Sequence, residues 1–204
     1  MAERAIGVLL FPGVEELDFV GPWELFGLWR EFGDGPRCLS IGTGPGAVQA
    51  RHGLRVVPEV SMAEAPPLAH LLVPGGPAAA TVAQNPDVQR FVAEQAATAD
   101  TVLSVCTGVR VLHAAGLLDG KRVTTHHSAL ADVRGWPGVA AVEERYVQDE
   151  TLWTAAGISA GIDMALAFIA EQAGPDVAQT VRREAEYRTR GPGSEGTGAT
   201  AVGG

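Results

Sequence analysis

Three short apolar segments, each followed by a sharp turn, constrain the fold of this chain more than any other feature. They are residues 5–11 before Pro12-Gly13, residues 70–73 before Pro74-Gly75-Gly76, and residues 101–105 before Cys106-Thr107-Gly108. Segments that are mainly apolar, rather than apolar only at alternate positions, are typical of strands buried on both faces. Because helical patterns separate them, the sequence predicts an α/β fold with a mostly parallel sheet covered by helices on both faces. The functional site of such a sheet lies beyond the carboxyl ends of its strands.

The remaining elements are predicted from spacing and turn residues. In residues 15–32 the apolar positions have near-helical spacing, but Gly21-Pro22 interrupts them, so we predict two short helices, the second starting at Pro22. Two strands, near 141–148 and 151–155, flank a turn at Asp149-Glu150, and helices follow at about 159–172 and 176–188. The last residues are mainly Gly, Ser, Thr and Ala. We therefore predict one domain over residues 1–189 and a flexible Gly-rich tail over 190–204.

Charge and cysteine content exclude several classes of function. The net charge of −9 disfavours a nucleic-acid-binding surface, which needs a basic patch for phosphates. The two cysteines are too few for a disulfide-stapled secreted domain, so we expect a reducing, cytoplasmic location. The sequence contains no apolar run of about 20 residues and no signal-peptide pattern, so no membrane association is expected.

Cys106 is the strongest candidate for a catalytic residue. It stands between a buried strand and a helix, the strand–turn–helix context in which a nucleophile elbow displays a side chain above a sheet. The free N–H groups and the positive dipole end of the following helix favour a thiolate, which predicts a lowered pKa for Cys106. The alternative is a small buried residue, which is the common fate of a free cysteine and fits Cys38 well.

Asp18 and the histidines are weaker candidates. Asp18 follows the first strand and is either a functional carboxylate or a helix cap, whereas the adjacent Glu15 and Glu16 are interpreted as solvated loop charges. His126 ends a strand and is a possible base for the cysteine, although a structural role is the simpler interpretation. The other histidines show no ligand spacing, so no metal site is predicted.

Five stretches of this sequence resemble the ThiJ/PfpI superfamily, which has the class I glutamine-amidotransferase-like fold. They are Phe11–Pro22, Leu72–Gly76, Val105–Gly108, Ala114–His126 and Ala156–Asp163. The resemblance spans roughly residues 5–188, and the pattern is most similar to the isonitrile hydratase branch. It implies a flavodoxin-like sandwich with a nucleophile elbow, and a homodimer.

The resemblance also implies roles for individual residues. Cys106, Asp18 and Thr107 match the residues that serve the isonitrile hydratase reaction, in which water adds to an isocyanide to give an N-substituted formamide without a cofactor. Gly75, Gly76 and Ile158 are expected to bind substrate or to stabilise developing negative charge, the N–H of Gly76 being one such donor. Apart from the resemblance, Phe19 and Trp23 are most simply interpreted as core or interface aromatics; the alternative is that one of them also lines the crevice near Asp18, where an apolar pocket would suit this small-molecule substrate.

Other functions remain open at this point. Similar domains precede the DNA-binding part of AraC-type regulators, so a stand-alone sensor is one alternative. A glyoxalase-like, deglycase-like or protease-like enzyme of the same superfamily is another. A third is a redox-responsive protein in which Cys106 is oxidised to a sulfinic acid.

Overall fold

A computed structural model describes residues 5–188 of the chain. The strands are β1 (Ile6–Leu10), β2 (Cys38–Gly42), β3 (Val48–Gln49), β4 (Arg55–Val56), β5 (Val60–Ser61), β6 (His70–Val73), β7 (Thr101–Val105), β8 (Arg122–Val123), β9 (Ala140–Ala141), β10 (Tyr146–Asp149) and β11 (Leu152–Ala155). The helices are α1 (Glu16–Gly33), α2 (Ala79–Val82), α3 (Pro86–Ala96), α4 (Val109–Ala114), α5 (His127–Val133), α6 (Ala160–Ala173) and α7 (Pro175–Glu184). The predicted tail over 190–204 lies outside the described residues.

Seven strands form the central sheet in the order β10-β11-β7-β6-β1-β2-β5. All neighbours pair in parallel except β10 and β11, which form an antiparallel hairpin at one edge. Helices surround this sheet, so the prediction of a mostly parallel, flavodoxin-like α/β fold is confirmed. The three strands that carry the turns of interest, β1, β6 and β7, are consecutive in the sheet, so their carboxyl ends meet in one place.

The sheet is buried on both faces by two separate apolar cores. Along β1 the side chains alternate between them: Ile6, Val8 and Leu10 belong to the core that includes residues of α1, α6 and α7, and Leu9 belongs to the core that includes residues of α3, α4 and α5. This double burial is the physical reason for the unbroken apolar pattern of the strand. Among the helices of residues 5–188, none combines the length and the apolar character that a membrane span requires.

The prediction of two helices around Gly21-Pro22 is wrong, because α1 runs without interruption from Glu16 to Gly33 with Pro22 inside it. A proline inside a helix removes one hydrogen bond and costs roughly 3 kcal/mol. Here Gly21 and Pro22 are both buried where α1 crosses α6: a Cβ on Gly21 would lie 2.9 Å from Ile162, and one on Gly161 would lie 3.2 Å from Pro22. Tertiary packing of this close contact offsets the local cost.

Two glycines allow the loop after β6 to lie directly against the turn after β7. A Cβ on Gly108 would overlap the carbonyl oxygen of Val73 and would lie 2.9 Å from that of Pro74. A Cβ on Gly75 would lie 2.5 Å from the backbone nitrogen of Thr107. The neighbouring atoms belong to the backbone and cannot rotate away. The geometry of the turn therefore requires glycine, which has no side chain, at both positions.

We therefore expect Gly108→Ala to lower the free energy of unfolding by about 2–4 kcal/mol, as for other changes that force backbone apart. Gly27→Ala is the matched control, because Gly27 is exposed on α1 with open space at its Cβ position. It should raise stability by about 0.5–1 kcal/mol through helix propensity. Urea unfolding of both variants measures the difference, and equal effects of the two substitutions would contradict the close contact.

Candidate active site

Cys106 stands on a strained turn at the carboxyl end of β7. Its φ of 58° lies in the left-handed region that non-glycine residues seldom adopt, and the residue is only 6 % exposed. Such strain costs on the order of 1–3 kcal/mol and persists only where the surroundings hold it. Here the Cys106 N–H donates to the Ala156 carbonyl at 2.9 Å, and the Thr125 hydroxyl donates to the Cys106 carbonyl at 2.8 Å. The predicted nucleophile elbow is present in this geometry.

Asp18 lies beside Cys106 with its side chain fully buried. It is inside the first turn of α1 rather than at the cap, and its Oδ2 accepts the N–H of Gly75 at 2.9 Å. Its Oδ1 makes no well-formed hydrogen bond within residues 5–188. The Cys106 thiol is a weak hydrogen-bond donor to the carboxylate and acts to lower the pKa of Asp18, whereas the charge of Asp18 raises the pKa of the thiol. Burial, and to a lesser degree the negative charge of Glu15, raise the pKa of Asp18 to about 7, although the Gly75 N–H acts against them.

The prediction of a lowered pKa for Cys106 is wrong. Burial and the neighbouring Asp18 carboxylate raise the pKa of the thiol to about 12. The N–H groups of Thr107 and Ile158 and the Thr107 hydroxyl act in the opposite direction by hydrogen bonding to the sulfur, but they do not outweigh desolvation. With Asp18 ionised, Cys106 therefore rests as a thiol at neutral pH.

Thr107 connects the elbow to the loop after β6. Its hydroxyl accepts the N–H of Gly76 and donates to the carbonyl of Gly76, both at 3.0 Å. The Gly76 N–H is therefore already bonded and does not offer the free donor that we expected for developing negative charge. The Gly75 N–H is likewise used, by Asp18.

The donors that face the sulfur are the backbone N–H groups of Thr107 and Ile158. Ile158 follows β11 and has a φ of 48°, an unusual conformation for a β-branched residue. This strained loop, Gly157–Ser159, presents the Ile158 amide to the sulfur of Cys106. Of the three residues expected to stabilise negative charge, Ile158 has the geometry for it.

Glu15 is buried, not solvated as predicted from the sequence. It is 5 % exposed, and its carboxylate contacts Arg51 at 2.6 Å and the His52 ring at 3.3 Å. Both partners come from the turn between β3 and β4, 36 or more residues away in sequence, so no local pattern indicated the contact. Glu15, Glu16 and His52 place ligand atoms within 4.8 Å of one another. The guanidinium of Arg51 already balances the charge of Glu15, so the cluster is an ion-pair network at the edge of the site.

His126 lies near the site but makes no hydrogen bond to Cys106 or Asp18 within the described residues. Its Nδ1 pairs with the Ser128 hydroxyl at 2.8 Å, and burial and the adjacent His127 lower the pKa of the ring. His126 lines a cavity of about 440 Å³ next to the elbow, together with Thr125, Leu130, Glu144, Ile158 and Ser159. Phe19 belongs to the apolar core that also contains Cys106, and Trp23 is partly buried and packs against that core, as the simpler interpretation of these aromatics expects.

The fold and this site define an α/β protein with a cysteine on a nucleophile elbow and a buried carboxyl beside it. The model of the DJ-1/PfpI family matches residues 4–171, so the chain belongs to that family. Isonitrile hydratase of Pseudomonas putida is 37 % identical to it, over 96 % of this chain and 84 % of the relative.

Solved structures agree with this assignment. A ThiJ/PfpI family protein from Pseudomonas syringae superimposes with a TM-score of 0.85 at 31 % identity, covering 97 % of this chain and 80 % of that one. Drosophila melanogaster DJ-1beta has a TM-score of 0.80 at 21 % identity, covering 92 % of this chain and all of that one, and is similar in fold.

The raised pKa of Asp18 predicts a pH-dependent effect of Asp18→Asn on stability. Between the ordinary value of 3.8 and about 7, the native state holds a proton that the unfolded chain has lost, so wild-type stability falls as pH rises through this range. Asparagine does not ionise. Relative to the wild type, the free energy of unfolding of the variant should therefore increase by about 1.4 kcal/mol per pH unit up to about pH 7. Above pH 7 this difference should stay constant.

Urea unfolding at pH 4, 5.5, 7 and 8 measures the difference. Asp176→Asn, at an exposed position on α7, controls for loss of a carboxylate. A stability difference between Asp18→Asn and wild type that does not change with pH would mean that burial does not hold the carboxyl neutral.

Proposed function

We propose that this protein hydrates an isocyanide to an N-substituted formamide, with Cys106 as nucleophile and Asp18 as acid and base. The observation that carries the proposal is the fully buried Asp18 carboxyl with a pKa of about 7 next to the thiol. A group with that pKa is protonated or ionised in comparable amounts at neutral pH, which suits proton transfer in both directions. The identity to the Pseudomonas putida enzyme supports the same reaction.

The first step adds the thiol across the terminal carbon of the isocyanide. The Cys106 proton passes to Asp18, so the pair keeps a single negative charge, and the Asp18 charge that raises the pKa of the thiol is removed as the thiolate forms. Asp18 then protonates the isocyanide carbon, and the thiolate forms a C–S bond to the same atom. The product is a thioimidate, in which the former triple bond is a C=N double bond.

The second step hydrolyses the thioimidate and regenerates the free cysteine. Asp18, now ionised, removes a proton from water as the oxygen bonds to the thioimidate carbon, and that proton reaches the nitrogen. Collapse of the tetrahedral adduct forms the C=O bond and expels the sulfur, which recovers the remaining proton. The N–H groups of Thr107 and Ile158 stabilise the leaving thiolate, because they already point at the sulfur.

The buried carboxyl also favours an enzyme over a sensor that only binds a ligand. An uncompensated acidic group in an apolar site costs stability, and proteins retain such groups chiefly where they act. We further propose that the enzyme is a cytoplasmic homodimer and that the substituent of the isocyanide occupies the 440 Å³ cavity next to the elbow.

The central test is conversion of an alkyl or aryl isocyanide to the formamide. We expect turnover by the wild type, and a loss of at least about 10³-fold in kcat for Cys106→Ala and for Asp18→Asn, because each removes a group that makes or breaks bonds. Folding is checked by circular dichroism. Absence of formamide with the wild type, together with consumption of methylglyoxal, would replace this proposal by the glyoxalase-like alternative.

Thr107 tests the positioning of the elbow. Thr107→Val keeps the shape but removes the hydroxyl that joins Gly76, and we expect about a tenfold to hundredfold loss of kcat with a smaller change in KM. Thr107→Ser retains the hydroxyl and should keep most of the activity. Equal losses in the two variants would show that the methyl group, not the hydroxyl, matters.

A further inference from the structure

Arg145 is a residue outside the proposed chemistry whose contacts converge on the loop that faces Cys106. It precedes β10, and its guanidinium donates to Asp163 at 2.6 Å and to the Ser159 hydroxyl at 3.1 Å. Its own backbone carbonyl accepts the N–H of Ala156 at 3.0 Å. The loop Gly157–Ser159 is thus held at both ends by one residue.

We infer that Arg145 is a positioning residue, which keeps the Ile158 N–H aimed at the sulfur of Cys106 by bracketing the loop Gly157–Ser159. This inference rests on the proposed function, because it assigns a role in that reaction to a residue that does not touch the reacting atoms.

The conformation of Ile158 is the first argument. A β-branched residue at a φ of 48° does not adopt this geometry by preference, so neighbouring contacts must hold it. On its amino-terminal side, Ala156 is fixed by the carbonyl of Arg145 and in turn accepts the N–H of Cys106. On its carboxyl-terminal side, the Ser159 hydroxyl accepts a hydrogen bond from the Arg145 guanidinium.

The hydrogen bonding of the Ser159 side chain is the second argument. It occupies the N-cap position of α6, where a serine oxygen ordinarily accepts an N–H from the first turn of the helix, yet its side chain makes no such bond. Its hydroxyl accepts from the guanidinium instead. The Ser159 side chain therefore links the loop to Arg145 and does not cap α6.

The anchoring of Arg145 is the third argument. Asp163 holds the guanidinium, and the Tyr187 hydroxyl donates to the other oxygen of that carboxylate at 2.9 Å. The Arg145 side chain is 48 % exposed, so the ion pair adds little to overall stability. A contact that contributes little to stability but fixes a donor beside the nucleophile is expected to affect the reaction more than the fold.

The test compares Arg145→Met, Ser159→Ala and the double variant with the wild type. Both single variants should lower the kcat for isocyanide hydration about threefold to tenfold, as expected when one hydrogen bond to developing charge is weakened. Arg145 and Ser159 also line the cavity proposed for the substituent of the isocyanide, so kcat and the reactivity of the thiol, not KM, are the deciding readouts. The double variant should be no worse than the more affected single one, because both substitutions break the same contact. Arg145→Lys, which can still pair with Asp163, should recover part of the loss.

Alkylation of Cys106 by iodoacetamide at pH 9, followed by peptide mass spectrometry to separate it from Cys38, gives a readout that needs no isocyanide. We expect alkylation about threefold to tenfold slower in both single variants, because the thiolate loses a donor. The control is Arg134→Met, the same change at an arginine that reaches Glu143 at 3.9 Å and should match the wild type.

Unchanged or faster alkylation of Cys106 in Arg145→Met would overturn the inference. So would an alkylation rate in Arg145→Met equal to that in Arg134→Met. The inference would also fail if the losses of kcat in the two single variants multiplied in the double variant. If the wild type hydrates no isocyanide, the proposed function fails. The alkylation rates then decide the role of Arg145 by themselves.

Discussion

The burial of the Asp18 carboxyl next to the Cys106 thiol is the constraint on which the rest of the site depends. Two acidic groups share a buried space, and among the described residues the backbone N–H of Gly75 bonds to the carboxylate. The pair therefore favours states with at most one negative charge. The loop after β6 contacts this pair through the Gly75 N–H, and the strained Ile158 contacts it through its own N–H.

The geometry of the site depends mostly on backbone conformation and on close contacts between backbone segments. Cys106 and Ile158 are both held in left-handed conformations, and Gly75 and Gly108 permit contacts that any side chain would prevent. The resulting donors are fixed before substrate arrives, which is the condition for electrostatic stabilisation without reorganisation. Two apolar cores, one on each face of the sheet, pack against the strands that carry these strained turns.

Much of this architecture could be predicted from the sequence, for reasons that differ between features. The parallel sheet and the elbow at Cys106 were predictable because burial on both faces and a strand–turn–helix pattern are local signals. The positions of Asp18 and Thr107 were predicted from the resemblance of short motifs. The continuous α1 was not, because the contact of Gly21-Pro22 with α6 is invisible in the local pattern. The burial of Glu15 and the raised pKa of Cys106 were missed for the same reason: both depend on neighbours that only the folded chain brings near.

The order of the strands has a consequence for the biosynthesis of this protein. Asp18 comes from the start of the chain, Cys106 from its middle, and Ile158 with Arg145 from its last third, yet β1, β6, β7 and β11 are adjacent in one sheet. The elbow lacks the Ala156 carbonyl that accepts the Cys106 N–H until the residues of β11 have been translated and have paired with β7. The strained turn at Cys106 and the buried pair that it forms with Asp18 are consequently complete only when the last third of the chain has joined the sheet.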